Sequence, residues 1–198
     1  MNTSSITIAA LAFAASSLPA SALIFQEFGT PGAITDDGVT TFELNVAPSF
    51  PVFGPLEVGI DMDHTWAGDL TITLEHNGTS VTLLDRLGVP EDTVGNGADF
   101  AGLYVFGDSG ASWSPFDVTG ANSGVVIPEG SFGLDNSDGT SLADFAGMEA
   151  NGLWTLTISD GAFLDTGVVN SWYIAIVPAP GAAALLGMGA LAASRRQR

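Results

Sequence analysis

The 198-residue chain contains no cysteine and no lysine, and its only basic residues are four arginines. Without cysteine there is no disulfide framework and no thiolate metal centre. With 22 Asp+Glu against those four arginines the formal net charge is −18, so the chain cannot neutralise phosphates and is not a nucleic-acid binder. Two histidines leave few candidates for general-base chemistry. An acidic disordered tail would be poor in apolar residues, yet 46% of this chain is hydrophobic. The length suits one domain.

The charge is unevenly placed. Arg195, Arg196 and Arg198 sit at the C-terminal end, and every acid lies between Glu27 and Asp165, with Arg86 the one base among them. Residues 1–22 read as a secretory signal peptide: an apolar run Ile6–Ala15, then Pro19 and an A-x-A cleavage site ending in Ala20 and Ala22. The n-region of this segment has no basic side chain. Residues 177–198 open with the breaker Val177-Pro178-Ala179-Pro180-Gly181 and continue through the uncharged small and apolar stretch Ala182–Ala193. As a helix that stretch would span about 18 Å, short of the ~30 Å hydrocarbon core, which makes it a marginal transmembrane helix. The arginines that follow favour a cytoplasmic C-terminus. A proline motif, an Ala/Leu/Gly-rich stretch and a terminal Arg cluster, in that order, resemble the PEP-CTERM sorting signal of Gram-negative bacteria. Ala179 stands where the name-giving motif has Glu. The resemblance implies an exosortase-like membrane peptidase as partner, transient membrane association through the C-terminus, and delivery to the cell surface, outer envelope or extracellular matrix.

The body, residues 23–176, has a period of two. Val58, Ile60 and Met62 alternate with Gly59, Asp61 and Asp63; Leu70, Ile72 and Leu74 alternate with threonines. Trp154, Leu156 and Ile158 repeat the pattern, as do Trp172, Ile174 and Ile176, and Phe42–Val46 and Val81–Leu83 read as further strands. Asn-Gly and Asp-Gly pairs separate the runs, and Asn77-Gly78 predicts a β-hairpin. Ser141–Glu149 supports at most one or two helical turns. The expected fold is all-β, an antiparallel sandwich or jelly roll, followed by a short hydrophobic C-terminal helix. Residues 89–140 are the least regular, a long loop that calls for a function or for a bound cation to order it.

Five segments, in order, resemble the P/Homo B domain, the β-sandwich that follows the catalytic domain of kexin- and furin-like proteases. They are Val58–Leu74 with its corner His64-Thr65-Trp66-Ala67-Gly68-Asp69; Asn77-Gly78-Thr79 with the apolar run after it; and Phe106-Gly107-Asp108-Ser109. The last two are Phe145-Ala146-Gly147 leading to Asn151–Leu156, and Asp160 with Gly167–Trp172. In that family the domain supports a catalytic neighbour. Only about 35 residues separate the export-type segment from Val58, too few for such a neighbour between them.

Nucleophilic hydrolysis needs a nucleophile, a base and an orienting group. No Gly-x-Ser-x-Gly is present, His64 is expected to bond to neighbouring backbone, and His76, beside a hairpin turn, is expected to be exposed. No catalytic residues are assigned, and the chain is not expected to be an enzyme, although with 22 acids a glycosidase-type carboxylate pair is not excluded by counting. Calcium is the candidate cofactor, since hard oxygen ligands suit it. The candidate ligands are Asp61, Asp63 and Asp69 around the corner, joined by Asp99 and Asp108 from the long loop; the alternative is a solvated acidic rim. The function expected is an exported, non-enzymatic binding or structural module with exopolysaccharide as a candidate partner. The alternative is an accessory P domain acting in trans with a secreted subtilisin-like protease.

Overall fold

The computed structural model describes residues 25–89, 94–114, 116 and 122–176. Among them ten strands form two sheets packed face to face. β1 (Phe25–Gly29), β2 (Gly32–Ile34), β4 (Leu56–His64), β7 (Phe100–Ala111), β8 (Gly130–Phe132) and β10 (Gly167–Ile176) form the larger sheet, in the order β1-β10-β4-β7-β8 with β2 also on β10. β3 (Val39–Val46), β9 (Gly152–Asp160), β5 (Leu70–His76) and β6 (Thr79–Asp85) form the smaller, in that spatial order. Every pairing is antiparallel except β7 with β8. The predicted all-β sandwich is thus the fold observed. The expected C-terminal helix, the proline motif Val177–Gly181, the arginines Arg195, Arg196 and Arg198, and Ala20 and Ala22 all lie outside the described residues. No helix among the described residues is long and apolar enough to cross a membrane.

The core follows from the period of two. Leu56, Val58, Ile60 and Met62 of β4 face Leu70, Ile72 and Leu74 of β5 and Trp154, Leu156 and Ile158 of β9 across the sandwich, all buried. Two irregularities in the alternation are β-bulges. On β10 the register against β4 shifts between Val169 and Ser171, so Val169 and Trp172, three apart, both point inward. Between β5 and β6 the register shifts after Ile72, which lets both Leu83 and Leu84 be buried. The Asn77-Gly78 hairpin closes β5 on β6 with both residues at positive φ, 50° and 81°, as a two-residue loop of right-handed strands requires.

The segment expected to be least regular contains the longest strand. β7 runs for 12 residues, with Phe100, Tyr104 and Phe106 buried. Its glycines hid it, and two of them, Gly102 and Gly110, have a packing reason. At Gly110 a Cβ would lie 1.9 Å from the Phe132 backbone, so β7 and β8 approach there as only glycine permits. Over Gly102, at φ +126°, the Glu129 carboxylate reaches in to accept the Leu103 N–H at 2.8 Å. The expected short helical piece is a 3-10 turn, Leu142–Phe145, capped by Ser141 and Asp144.

Candidate functional site

The chemistry-bearing residues gather where β4 turns into β5, at one end of the sandwich. A 3-10 turn, Ala67–Asp69, makes the corner. Gly68 is required there, because a Cβ would lie 2.4 Å from the Asn96 nitrogen. The chain at 94–98 closes over the corner through Ala67 N–H to Ala98 O (2.8 Å), Gly68 N–H to Asn96 O (2.8 Å) and Trp66 Nε1–H to Val94 O (2.6 Å). Asn96 is buried, and its Oδ1 accepts the Ala98 N–H at 2.9 Å.

His64 ends β4 with its side chain wholly buried, 3.1 Å from Asp160 Oδ2 through Nε2. The Trp66 N–H donates to Nδ1 at 3.2 Å, so Nε2 carries the proton given to Asp160. The expected backbone partner is present, and a buried carboxylate 96 residues away is added to it. Asp160 Oδ1 accepts the Ala162 N–H at 3.2 Å. Gly167 backs this pair: a Cβ there would lie 2.4 Å from His64 Cδ2. A histidine held by an acid is the lower half of a hydrolytic triad, but both side chains are sealed from solvent, where no substrate reaches them.

Asp69 is buried beside this pair, and its carboxylate faces the Arg86 guanidinium at 4.0 Å. Arg86 is itself held at the corner, its Nε donating to Gly68 O at 3.0 Å. Burial, and then the nearby Asp160 and Asp165, push the Asp69 pKa up to about 6, against the weaker opposing pull of Arg86 and His64. The one base of the acidic body is thus built into the corner.

The calcium candidates are scattered. Asp61 and Asp63 share one face of β4, as their spacing predicted, and both accept from Asn170 Nδ2, at 3.3 and 2.9 Å. An amide therefore sits between them. Asp99 bridges to Val126 through its backbone. Asp108 lies toward the far end of the sheet, and its two oxygens accept the Leu142 and Ala143 N–H groups at 2.9 and 3.0 Å. Asp69 is turned inward to Arg86. Among the described residues no three acids or histidines converge on a metal-sized site. What the fold brings together of the predicted set is the pair Asp61 and Asp63.

His76 differs from its expectation. It is buried rather than exposed, with Nδ1 2.8 Å from Leu153 O and Nε2 2.8 Å from Glu149 O. The apolar phase of β5 carries it inward, one step past Leu74, and that phase was the signal available in the sequence.

A concave feature lies at the opposite end of the large sheet. It is a cleft of about 480 Å³ walled by Phe53, Pro55, Leu56, Val105 and Phe132, with Glu57 on its side. Nothing in the sequence pattern marked it, because its walls come from four separate segments. Comparison with known proteins finds no matching family model and no similar curated protein.

Proposed function

We propose that this chain is an exported, non-enzymatic β-sandwich, sorted by an exosortase-type system to the envelope or extracellular matrix of a Gram-negative bacterium, where it serves as a binding or structural module. The observation that carries the reading is the fate of the two histidines. Both are consumed by packing, His64 against Asp160 and His76 against Trp154, which favours a scaffold role over hydrolysis. The terminal segments supply the delivery: an export-type leader before the sandwich and a sorting-type segment after it. Asp61 and Asp63 are the place where this reading puts a divalent cation. Fractionation of cells expressing a tagged full chain tests it. Recovery at the surface or in the matrix, lost when residues 177–198 are deleted, is expected; a protein found only in cytosol overturns the proposal.

The ordered P/Homo B-like segments favour a second reading, an accessory domain acting in trans with a secreted subtilisin-like protease. Co-purification with such a protease, and loss of that protease's stability when the chain is absent, separates it from the first.

A further inference from the structure

The face of the larger sheet turned away from the core carries one row of residues across five strands. In register they are Phe28 on β1, Tyr173 on β10, Gly59 on β4, Val105 on β7 and Ser131 on β8. Next to them in sequence, Trp172, Ile60, Tyr104 and Phe132 point inward and are buried. Four strand intervals of about 4.8 Å make the row roughly 19 Å long, the reach of a short oligosaccharide. The Tyr173 ring lies over Gly59, its Cε1 and Cζ 2.2 Å from where a Cβ at 59 would stand, so any other residue there would displace it. Phe28 packs on Tyr173 with the ring centroids 5.7 Å apart and the planes at 60°, and is itself 61% exposed. Two aromatic side chains therefore stand together on the outside of the sheet, where they add nothing to the core.

Carboxylates flank the rings. On β4, Glu57 stands two residues before Gly59 and Asp61 two residues after it, both on the same outer face. Glu57 leans over Gly107, its Cγ 3.7 Å from where a Cβ there would stand. Burial, and then the Glu57 carboxylate, raise the Tyr173 phenol above its ordinary pKa. Glu57, Val105 and Ser131 also line the 480 Å³ cleft, so the row runs on into it toward the exposed ring of Phe53. A cleft of that size, with apolar and polar walls together, suits a small polar ligand unit.

Each part of this surface selects its ligand. Carboxylates only accept hydrogen bonds, so the ligand must bring the donors. The one base among the described residues, Arg86, is engaged at the corner by Gly68 and Asp69, so an anionic polymer finds no counter-charge on this face, whereas a cation finds two carboxylates. The faces of aromatic rings are electronegative and attract polarised C–H groups or an ammonium group. The row crosses the middle of a hydrogen-bonded sheet, so a peptide lying along it has no strand edge to pair with. A flat ring that carries hydroxyls and an amine meets all of these conditions. We propose that this face binds a polysaccharide whose pyranose units bear free amino groups, the ring C–H faces resting on Tyr173 and Phe28 and the ammonium groups lying between Glu57 and Asp61. This rests on the reading of the chain as a binding module and deepens it by naming the partner and the face that takes it.

Titration calorimetry of the full chain tests the proposal with three hexasaccharides of one backbone and linkage that differ only at carbon two: chitosan hexamer (amine), chitin hexamer (acetamide) and cellohexaose (hydroxyl). The amine form is expected to bind at least tenfold more tightly than the other two, and to weaken between roughly 0.05 and 0.5 M NaCl. Phe28→Ala, whose side chain is mostly in solvent, keeps the melting temperature and loses at least tenfold in affinity. Tyr173→Ala loses as much, and Glu57→Gln loses affinity together with part of the salt dependence. Phe163→Ser, an equally exposed aromatic position on the β9–β10 loop, leaves binding unchanged. No binding of the amine form, equal binding of all three sugars, or binding untouched by Phe28→Ala overturns the proposal. A lysine hexapeptide that binds as tightly as the amine sugar overturns it in favour of a basic peptide. Recovery of the chain at the cell surface without sugar binding sinks this inference alone, and sugar binding by a chain found only in cytosol sinks the delivery alone.

Discussion

His76 lies flat on Trp154, the ring centroids 4.0 Å apart and the planes 1° from parallel. Phe145 packs on the same indole from 5.1 Å, and the Trp154 N–H donates to Ala150 O at 2.8 Å. The Nδ1 and Nε2 atoms of the His76 ring also lie 2.8 Å from the Leu153 and Glu149 carbonyls, with Asn77 Nδ2 3.0 Å from Nε2, placing the end of β5 against the loop that enters β9. The histidine is a packing element with two polar ends.

His76→Ala removes both the stacked plate and the two carbonyl contacts. It is expected to destabilise the domain by about 2–4 kcal/mol, read as a lower urea midpoint with an unchanged slope. His76→Phe keeps the plate and loses less. Equal loss in both variants would assign the whole effect to the carbonyls.

The two buried tryptophans predict unequal costs for the same substitution. Among the described residues Trp172 Nε1 is buried without a partner, whereas Trp154 Nε1 is bonded. Trp154→Phe strips a hydrogen bond and leaves the Ala150 carbonyl short of a donor; Trp172→Phe removes an unpaired N–H. Denaturation should find Trp154→Phe the more costly by about 1 kcal/mol.

Asp69 gives the domain a pH dependence of unusual sign. Its pKa rises from 3.8 to about 6 on folding, so between those values the folded state binds more protons than the unfolded. The stability it contributes is therefore complete below the unfolded pKa and is lost as pH climbs through about 6, on the order of 2 kcal/mol over the window. Asp69→Asn should flatten the curve of melting temperature against pH between 4 and 6.5. Asp160→Asn removes a charge that raises the pKa and should shift the midpoint of that curve downward.

The cation reading rests on Asp61 and Asp63. Calcium at roughly 10 mM is expected to raise the melting temperature of the wild type and to leave Asp61→Asn/Asp63→Asn unmoved. An equal rise in both would assign the effect to general screening. No rise in the wild type would remove calcium from the account.

Strands β4, β5, β9 and β10 were legible because each buries alternate residues on one face, and the Asn77-Gly78 hairpin because its two residues are those that tolerate positive φ. β7 was not legible. Gly110 and Gly102 answer to the Phe132 backbone and the Glu129 carboxylate, both of which come from more than twenty residues away. Of the candidate site, the shared face of Asp61 and Asp63 was readable from spacing, but Asn170 between them was not. The buried acid on His64 was equally hidden, since 96 residues separate the pair.

The sequence by itself determined the fold class, the acidity of the body and the contrast between that body and its basic, apolar end, because these depend on local period and on sums over the chain. Only the tertiary structure decided which polar groups are spent. It sealed His64 with Asp160, turned Asp69 toward Arg86, stacked His76 under Trp154, and left Phe163 and Leu164 standing in solvent. The reason is physical: a side chain's burial and partners are set by the strand or loop packed against it, and the sheet order β3-β9-β5-β6 against β1-β10-β4-β7-β8 brings together segments that no local pattern connects.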